Sequence, residues 1–324
     1  MPALHQPQAT NFGSMVLLSF ACNASCNYCF QRQPTTDQQT APRLSGPPMS
    51  DVVMEQVFNF IDQRRQGRKV DLIMLGGEAL MFPEQCLRLL RGMPELSSAR
   101  LTTNGVLLVP SLAEALVEAG LKSAVITFDG SRVFHDSTRF LAGRRGTYDT
   151  IIENLKAAET TGLRTNLRVH VTPQNMSSLA ELLADLRSQL DPAQHTVFFA
   201  LVHDIGIGWQ HGLDPDAKTA EEVVIKLYHQ SAGLGFAVPV RTRMPCPLCQ
   251  AGGAVIGPTG DLYPCEQMAG FQDRRVGNVW SGYDEAASAR RWGRCFTDRL
   301  DPDPDWREPL NRLDEVLTEL SITR

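Results

Sequence analysis

Three cysteines stand within eight residues near the start of the chain, in the segment LLSFACNASCNYCFQRQ (17–33). They are Cys22, Cys26 and Cys29, with the spacing C-x3-C-x2-C. A [4Fe–4S] cluster normally takes four thiolates, so three thiolates from one tight loop would leave one iron open to a substrate. Structural zinc is the alternative, but it prefers a closed shell of four nitrogen and sulfur ligands. The segment contains no histidine, and its spacing therefore favours an iron–sulfur cluster.

A second group of cysteines lies in the last third of the chain. Cys246, Cys249 and Cys265 have the spacing C-x2-C-x15-C, and Cys295 follows. A zinc ribbon is one interpretation, although a ribbon usually ends in a second C-x2-C pair, which the sequence lacks. The remaining cysteine, Cys86, lies in a helical pattern and is expected to be a small buried apolar residue. Eight cysteines among 324 residues are too sparse for a disulfide scaffold, so the two groups indicate bound metal.

The composition is that of an ordinary globular protein. The chain is 43% hydrophobic and 21% charged, with a formal net charge of −5. The sequence has no excess of basic residues, which would be typical of a nucleic-acid-binding protein. It also has no apolar run long enough to cross a membrane. The first 22 residues lack the basic region of a signal peptide, which predicts a cytoplasmic protein with reduced thiols.

The elements that must position the cysteines alternate between strand and helix through the first two-thirds of the chain. The predicted strands are residues 15–20, 69–75, 99–103, 123–128, 166–172 and 196–201. The predicted amphipathic helices are residues 50–65, 84–92, 111–119, 147–161, 177–189 and 218–233. This alternation predicts right-handed βαβ units and a parallel sheet, either an open partial barrel or a doubly wound sheet. In both folds the chemistry lies beyond the carboxyl ends of the strands.

Polar or glycine-containing motifs follow the predicted strands at that edge. In chain order they are the cysteine loop, Gly-Gly-Glu at 76–78, Asn-Gly at 104–105, Asp-Gly at 129–130, His-Val-Thr at 170–172 and His-Asp at 203–204. Asn-Gly and Asp-Gly pairs also favour tight turns without any function. Their common position at one edge of the sheet nevertheless predicts a single site.

The motif CNASCNYC, with Tyr28 before its last cysteine, resembles the CxxxCxxC signature of radical S-adenosylmethionine (SAM) enzymes. The resemblance implies an α/β fold, a partial (β/α)6 TIM-like barrel whose three-cysteine [4Fe–4S] cluster binds SAM through its open iron. In that family the reduced cluster cleaves SAM to methionine and a 5′-deoxyadenosyl radical, which abstracts a hydrogen atom from the substrate. It also implies an external electron donor of the flavodoxin or ferredoxin type.

The resemblance extends to the later strand ends. In LGGEAL, Gly76 and Gly77 would let the backbone approach, and Glu78 would accept hydrogen bonds from the SAM ammonium. Arg139 is implied as a partner of the SAM carboxylate, although an exposed arginine on the side of a helix is an equal alternative. The other implied SAM-binding positions are Tyr28, Asn104, Thr127 and Asp129.

The segment CQAGGAVIGPTGDLYPCEQMAG (249–270), with Gly-Asn at 277–278, resembles the start of the SPASM region of peptide-modifying radical SAM enzymes. A full SPASM region has more cysteines and two auxiliary clusters. This chain is therefore similar to the shortened twitch form, with one auxiliary [4Fe–4S] cluster. Its implied ligands are Cys246, Cys249, Cys265 and Cys295. Without Cys295, an open iron would bind substrate directly.

The implied organisation has five parts. Residues 1–14 are an N-terminal arm, 15–215 the partial barrel and 216–240 a connecting helix or linker. Residues 241–300 are a small cysteine-rich twitch-type auxiliary cluster domain, and 301–324 a tail helix.

Relatives with this auxiliary region catalyse oxidations or cross-links, which require a base near the substrate. Glu266 directly follows Cys265 and is one candidate, with an ordinary acidic turn residue as the alternative; Asp204, at the end of the sixth predicted strand, is the other. The resemblance of the second cysteine segment to peptide-modifying relatives favours a peptide or protein substrate, such as a ribosomally made precursor. A separate leader-binding protein is one way to present that substrate. A small molecule such as a sugar alcohol, oxidised by a twitch-type dehydrogenase, is the alternative. A non-catalytic zinc or iron–sulfur protein is a third.

Overall fold

The computed structural model describes residues 11–26, 28, 29, 31, 45–202, 217–239, 253–284, 286 and 307–322. Its strands are β1 (Phe12–Leu17), β2 (Ala24–Cys26), β3 (Val70–Leu75), β4 (Leu96–Thr103), β5 (Ser123–Phe128), β6 (Arg139–Leu141), β7 (Arg164–Val171), β8 (His195–Leu201), β9 (Ala254–Ile256), β10 (Asp261–Tyr263), β11 (Gly277–Asn278) and β12 (Gly282–Tyr283). Its α-helices are α1 (Asp51–Arg65), α2 (Pro83–Gly92), α3 (Pro110–Glu118), α4 (Arg132–Thr138), α5 (Tyr148–Ala158), α6 (Leu179–Gln189), α7 (Ala217–Gly233) and α8 (Arg307–Ile322).

Ten of these strands form one sheet, in the order β12-β11-β10-β9-β1-β3-β4-β5-β7-β8. From β1 to β8 the neighbours run parallel, with helices in the connections. The strands follow one another in chain order without the reversal of a doubly wound sheet, which leaves the partial TIM-like barrel of the two predicted folds. The remaining pair, β2 and β6, forms a separate antiparallel ribbon.

The predicted strands and helices agree with those of the barrel to within three residues at each end. The largest difference is at β1, which is shifted as a whole by three residues and occupies 12–17 instead of 15–20. Residues 19–21 leave the sheet and accept hydrogen bonds from the loop after β3, with Gly77 N donating to Ser19 O at 2.9 Å. Strand β2, helix α4 and strand β6 have no counterpart in the sequence prediction, since segments this short carry little periodic signal.

Helix α1 shows how local sequence fixes an element. Ser50 is the N-cap and its hydroxyl accepts a hydrogen bond from Val53 N at 3.4 Å. Asp51 lies in the first turn and Arg64 and Arg65 in the last, which complements the helix dipole. The buried face packs on the sheet through Met54, Val57, Phe60 and Ile61.

The two faces of the barrel sheet differ in burial. On β7 the residues that face the helices are buried, whereas Asn166, Arg168 and His170, which alternate with them, are partly exposed. A parallel sheet covered on both faces would bury both sets. The alternation therefore identifies an outer face packed against helices and an inner, concave face that solvent reaches.

The C-terminal strands extend the barrel sheet on its other side. β9 pairs parallel to β1, through Ser14 with Ala254 and Val16 with Ile256, and β10 to β12 continue antiparallel from it. Helix α8 packs against α7. The predicted domain limits at residues 215, 240 and 300 lie outside the described residues. Within the described part of the chain no helix combines the length and apolar character needed to cross a membrane.

Candidate functional site

The three-cysteine loop begins where β1 ends. Its middle section, β2, pairs with β6, and in this pair Cys26 is directly opposite Arg139. A backbone hydrogen bond of 3.2 Å, donated by Cys29 N to Cys26 O, turns the chain toward the third cysteine. The short ribbon therefore holds the thiol loop over the carboxyl ends of the barrel strands.

The three thiols are close enough to influence one another's charge. Burial raises the pKa of Cys22, and it raises the pKa of Cys26 to about 12, while Arg139 lowers both values. All three side chains are half-buried. Among the described residues no three histidine, cysteine or acidic side chains converge on a single metal ion. Each thiolate of a four-iron cluster binds a different iron, so a loop of three neighbouring thiols beside a cationic arginine fits such a cluster.

A buried polar network lies directly beneath this loop. The hydroxyl of Tyr28 is 2.8 Å from both carboxylate oxygens of Asp129, and Arg139 Nε donates to Asp129 Oδ2 at 3.3 Å. Arg139 also donates to the Tyr28 hydroxyl. Asp129 and Arg139 are 2% and 7% exposed, so Arg139 is a buried ion-pair partner rather than an arginine on the side of a helix. Three of the predicted SAM-binding residues thus contact each other.

His170, which belongs to one of the strand-end motifs but was not among the implied SAM-binding or catalytic residues, completes the network. Its Nδ1 lies 3.0 Å from Asp129 Oδ1, and its ring packs edge-on against Tyr28 with centroids 5.1 Å apart. Asn175 Nδ2 donates to the carbonyl oxygens of both Asp129 and His170 at 2.8 Å. Burial alone would raise the pKa of Asp129, but Arg139 and His170 hold it well below its usual value. The carboxylate is therefore charged at neutral pH.

Gly76 and Gly77 allow a close contact between two loops of the chain itself. A Cβ atom on Gly76 would lie 2.4 Å from Ser19 O, and one on Gly77 would lie 2.3 Å from Ala21 O. No side chain fits at these distances. The two glycines therefore bring the segment before Cys22 against the end of β3.

Glu78 joins the ends of β3 and β4. Its Oε1 accepts hydrogen bonds from Leu80 N at 3.0 Å and Thr103 Oγ1 at 2.8 Å, and its Oε2 accepts one from Asn104 N at 2.7 Å. Burial raises the pKa of Glu78, and these three hydrogen bonds oppose the rise. With an exposed fraction of 1%, Glu78 has a structural role, and the SAM contact that the resemblance implies stays a prediction.

The other two predicted SAM-binding residues also lie at this edge. Asn104 Nδ2 donates to Asn23 Oδ1, in the cysteine loop, at 2.7 Å. Thr127 Oγ1 accepts hydrogen bonds from Arg168 Nε at 3.0 Å and from Arg168 Nη2 at 2.7 Å. The sequence motifs after four strands therefore meet around the cysteine loop, as their position at strand ends predicted.

The second cysteine set is described only in part. Cys265 is half-buried, and its Sγ lies 3.8 Å from Glu266 Oε2. Glu266 interacts electrostatically with Arg100 of β4 and Arg168 of β7, both on the concave face. Cys246, Cys249, Cys295 and Asp204 lie outside the described residues. Cys86 is fully buried and donates to Ala79 O at 3.3 Å, as expected of a structural cysteine.

Comparisons with known proteins agree with this geometry. The sequence profile of the Radical SAM superfamily matches residues 16–186. The chain is 25% identical over 183 residues to the AdoMet-dependent heme synthase of Methanosarcina barkeri, which covers 56% of this chain and 48% of that protein. It is 31% identical over 150 residues to the GTP 3′,8-cyclase of Petrotoga mobilis, covering 46% of this chain and 43% of that enzyme. The matched part is less than half the length of either relative.

Several solved structures have the same fold as this chain over most of its length, although their sequences are only distantly similar. The structure of anSMEcpe with bound AdoMet superposes with a TM-score of 0.65 at 16% identity, covering 85% of this chain and 80% of that one. Streptococcus suis SuiB bound to its precursor peptide SuiA superposes with a TM-score of 0.57 at 16% identity, covering 88% and 67%. Identities this low establish the fold alone.

Proposed function

The chain belongs to the Radical SAM superfamily, and from this premise we propose that it is an oxidoreductase that modifies a peptide. It would cleave SAM reductively and abstract a hydrogen atom from a side chain of the substrate, for oxidation or cross-linking. The observation that carries the proposal is the three-thiol loop held over the Tyr28–Asp129–Arg139 network at the carboxyl ends of the barrel strands. A [4Fe–4S] cluster with SAM would supply the radical chemistry there.

The roles of the chain's own residues follow from the geometry. Cys22, Cys26 and Cys29 would hold three irons of the cluster and leave the fourth for SAM. Arg139, opposite Cys26 and fixed by Asp129, would orient the SAM carboxylate with its positive charge. Because burial favours the neutral thiols, cluster assembly must displace protons from at least Cys22 and Cys26.

The auxiliary cluster remains a proposal. Its ligands would be Cys265 together with Cys246, Cys249 and Cys295, and Glu266 or Asp204 would accept the substrate proton. Support comes from Glu266, which interacts electrostatically, without a direct contact, with Arg100 and Arg168 of the concave face that a substrate would enter. An external flavodoxin- or ferredoxin-type donor in the reducing cytoplasm would provide electrons.

Two substrate classes stay open. A peptide is supported by the second cysteine segment and by the shared fold with SuiB, which was solved with its precursor peptide. In that case a separate leader-binding protein is a proposed partner. A small molecule, for instance a sugar alcohol, is the second candidate, and the names of the sequence relatives favour it, since heme synthases and GTP cyclases act on small molecules.

Production of 5′-deoxyadenosine tests the core of the proposal. After anaerobic reconstitution and reduction with dithionite, the wild-type protein is expected to convert SAM to methionine and 5′-deoxyadenosine, measured by liquid chromatography. Cys26→Ala should abolish the product. Cys86→Ser is the matched control, because this buried thiol lies outside the loop and serine keeps the hydrogen bond to Ala79 O. Absence of product from the iron-loaded wild type would overturn the proposed function.

A further inference from the structure

The concave face of the barrel has two chemically different walls. One wall is apolar and is formed by β1, β3, β9 and β10 with the segment that follows Cys265. Its buried members are Met15, Leu17, Ile73, Val255, Tyr263 and Ala269. The other wall is formed by β4, β5 and β7, where Arg100, Asn166, Arg168 and His170 are partly exposed. Because the six apolar residues are almost fully buried, solvent reaches the concave face mainly at the second wall, where the arginines lie.

Arg100 and Arg168 provide the positive charge of the second wall. Strand register places Arg100 beside Ile73 of β3, and Arg168 beside Thr127 of β5, so both side chains share the concave face. Strand β5 lies between their strands, and Arg168 is four residues further along the sheet than Arg164, the residue level with Arg100, so the two backbones lie about 16 Å apart. Glu266 nevertheless interacts electrostatically with both guanidinium groups. Arg168 uses Nε and Nη2 to bind a neutral hydroxyl, that of Thr127.

Among the residues that the structure describes, neither arginine has a carboxylate partner in contact. Among the ion pairs of the described residues, the concave-face carboxylate of Asp129 is bound by Arg139 and His170, and neither Arg100 nor Arg168 takes part in any pair. Burial lowers the pKa of both arginines, while Glu266 raises both at longer range. Two partly desolvated guanidinium groups without a bound anion are costly unless a ligand pairs with them.

We propose that Arg100 and Arg168 form an oxyanion-binding subsite for the substrate. In a peptide the bound group would be the carboxylate of an acidic residue near the residue that reacts, and in a small molecule it would be a carboxylate or phosphate. Planar guanidinium groups suit either oxyanion because they donate two parallel hydrogen bonds. The proposal rests on the proposed function only in requiring that the substrate enters the barrel.

Two binding experiments on the iron-loaded, SAM-bound protein test the subsite. The first selects ligands from a random heptapeptide library and reads the enriched positions by mass spectrometry. The second titrates pyrophosphate by calorimetry. We expect enrichment of aspartate or glutamate at one position, or saturable pyrophosphate binding. Arg168→Gln and Arg100→Gln should each abolish the enrichment, or weaken pyrophosphate binding at least about tenfold. Arg168→Lys, which keeps the charge, should recover part of the loss.

Controls separate the subsite from folding and from general charge. Arg132→Gln removes an exposed arginine paired with Asp149 on the outer helices and should bind like the wild type. Equal iron content in all variants shows that each has folded. If neither probe binds, or if binding is unchanged in Arg100→Gln and Arg168→Gln, the subsite is wrong.

The outcomes also separate the subsite from the proposed function. Arginine-dependent anion binding without SAM cleavage would support the subsite and refute the function. SAM cleavage without any arginine-dependent anion binding would support the proposed function and refute the subsite. If only pyrophosphate, and no acidic peptide, bound in a way that depends on the two arginines, the subsite would be supported and its ligand would be a phosphorylated small molecule.

Discussion

The phenol hydroxyl of Tyr28 lies 2.8 Å from each carboxylate oxygen of Asp129, although 101 residues separate them in the chain. Tyr28 stands between the second and third cysteines, and Asp129 follows the end of β5. The contact therefore ties the thiol loop to the barrel through a buried charged group. A hydrogen bond to a charged partner contributes about 1.5–3 kcal/mol, enough to influence how firmly the loop holds its metal.

Tyr28→Phe is expected to loosen the loop. Loss of the hydroxyl removes a donor from Asp129 and an acceptor from Arg139, so the free energy of unfolding should fall by about 2 kcal/mol. Iron release from the reconstituted protein to a chelator should become faster. The matched control is Tyr148→Phe, whose hydroxyl donates to Asp185 Oδ2 at 2.7 Å between α5 and α6. Equal iron release from both variants would contradict the role of the Tyr28 contact.

Asp129→Asn should weaken SAM binding more than it changes the fold. The substitution leaves Arg139 without its carboxylate partner and allows the guanidinium to turn away from the loop. We expect the dissociation constant of SAM, measured by equilibrium dialysis of the iron-loaded protein, to rise about tenfold or more. Asp185→Asn, at the other tyrosine–carboxylate contact, should leave it unchanged. An unaltered constant in Asp129→Asn would argue against Arg139 as a SAM ligand.

His135 makes stability depend on pH. Burial lowers the pKa of His135 to about 4. Its Nδ1 accepts a hydrogen bond from Asp129 N, and its Nε2 pairs with Thr147 Oγ1, so a second proton would face a donor. The unfolded chain binds this proton near pH 6.5, and the stabilisation is therefore complete above that value and declines as the pH falls toward 4. It amounts to about 3 kcal/mol.

Thermal unfolding at pH 7.5 and 5.5 measures this effect. The wild-type midpoint should fall more between these pH values than that of His135→Gln, in which the titrating group is absent. His229→Gln, on the exposed side of α7, should retain the wild-type dependence. A wild-type slope in His135→Gln would assign the pH dependence to other groups.

Glu78→Gln should destabilise the junction of β3 and β4. Both carboxylate oxygens of Glu78 accept hydrogen bonds, and all three donors are N–H or O–H groups. In glutamine an NH2 group replaces one oxygen, so that it would face a donor instead of accepting from it. The expected loss is about 2 kcal/mol in the free energy of unfolding, measured by thermal denaturation. Glu118→Gln, on the exposed side of α3, should change stability little. If Glu78→Gln left the free energy of unfolding unchanged, the carboxylate would not be required to hold the strand ends together.

Iron and sulfide analysis tests the number of clusters. Two [4Fe–4S] clusters predict about eight irons per chain in the wild type and about four in the Cys22/Cys26/Cys29→Ala triple variant. Cys265→Ala should also lose about four irons, and it should cleave SAM without forming product. A wild type with about four irons and a triple variant with none would leave only the SAM cluster. Normal turnover by Cys265→Ala would refute the auxiliary cluster.

Elements with a clear local sequence pattern could be predicted from the sequence. β5 was predicted and found at residues 123–128, because its continuous apolar run is bounded by turn residues. The gathering of Gly76, Glu78, Asn104 and Asp129 at one edge also followed from their position after the carboxyl ends of parallel strands. Each of these motifs carries a local signal that does not depend on which strands are neighbours.

Contacts set by strand register could not be predicted in this way. His170 meets Asp129, and Arg168 meets Thr127, only because β7 lies beside β5 in one particular register. Arg100 reaches the concave face for the same reason, as the partner of Ile73 on β3. A single arginine or histidine within a strand pattern gives no sign of which face it occupies until the register is known.

The pairing of β9 with β1 makes the two halves of the chain depend on each other. β1 uses both of its hydrogen-bonding edges, one toward β3 and the other toward β9. A barrel expressed without residues 253–284 would present the apolar strand FGSMVL with an unprotected edge, which is a template for pairing with another copy. Such a truncated protein is expected to self-associate or aggregate. Excision of the C-terminal strands therefore removes a cap that protects this edge of β1, along with any metal ligands they carry.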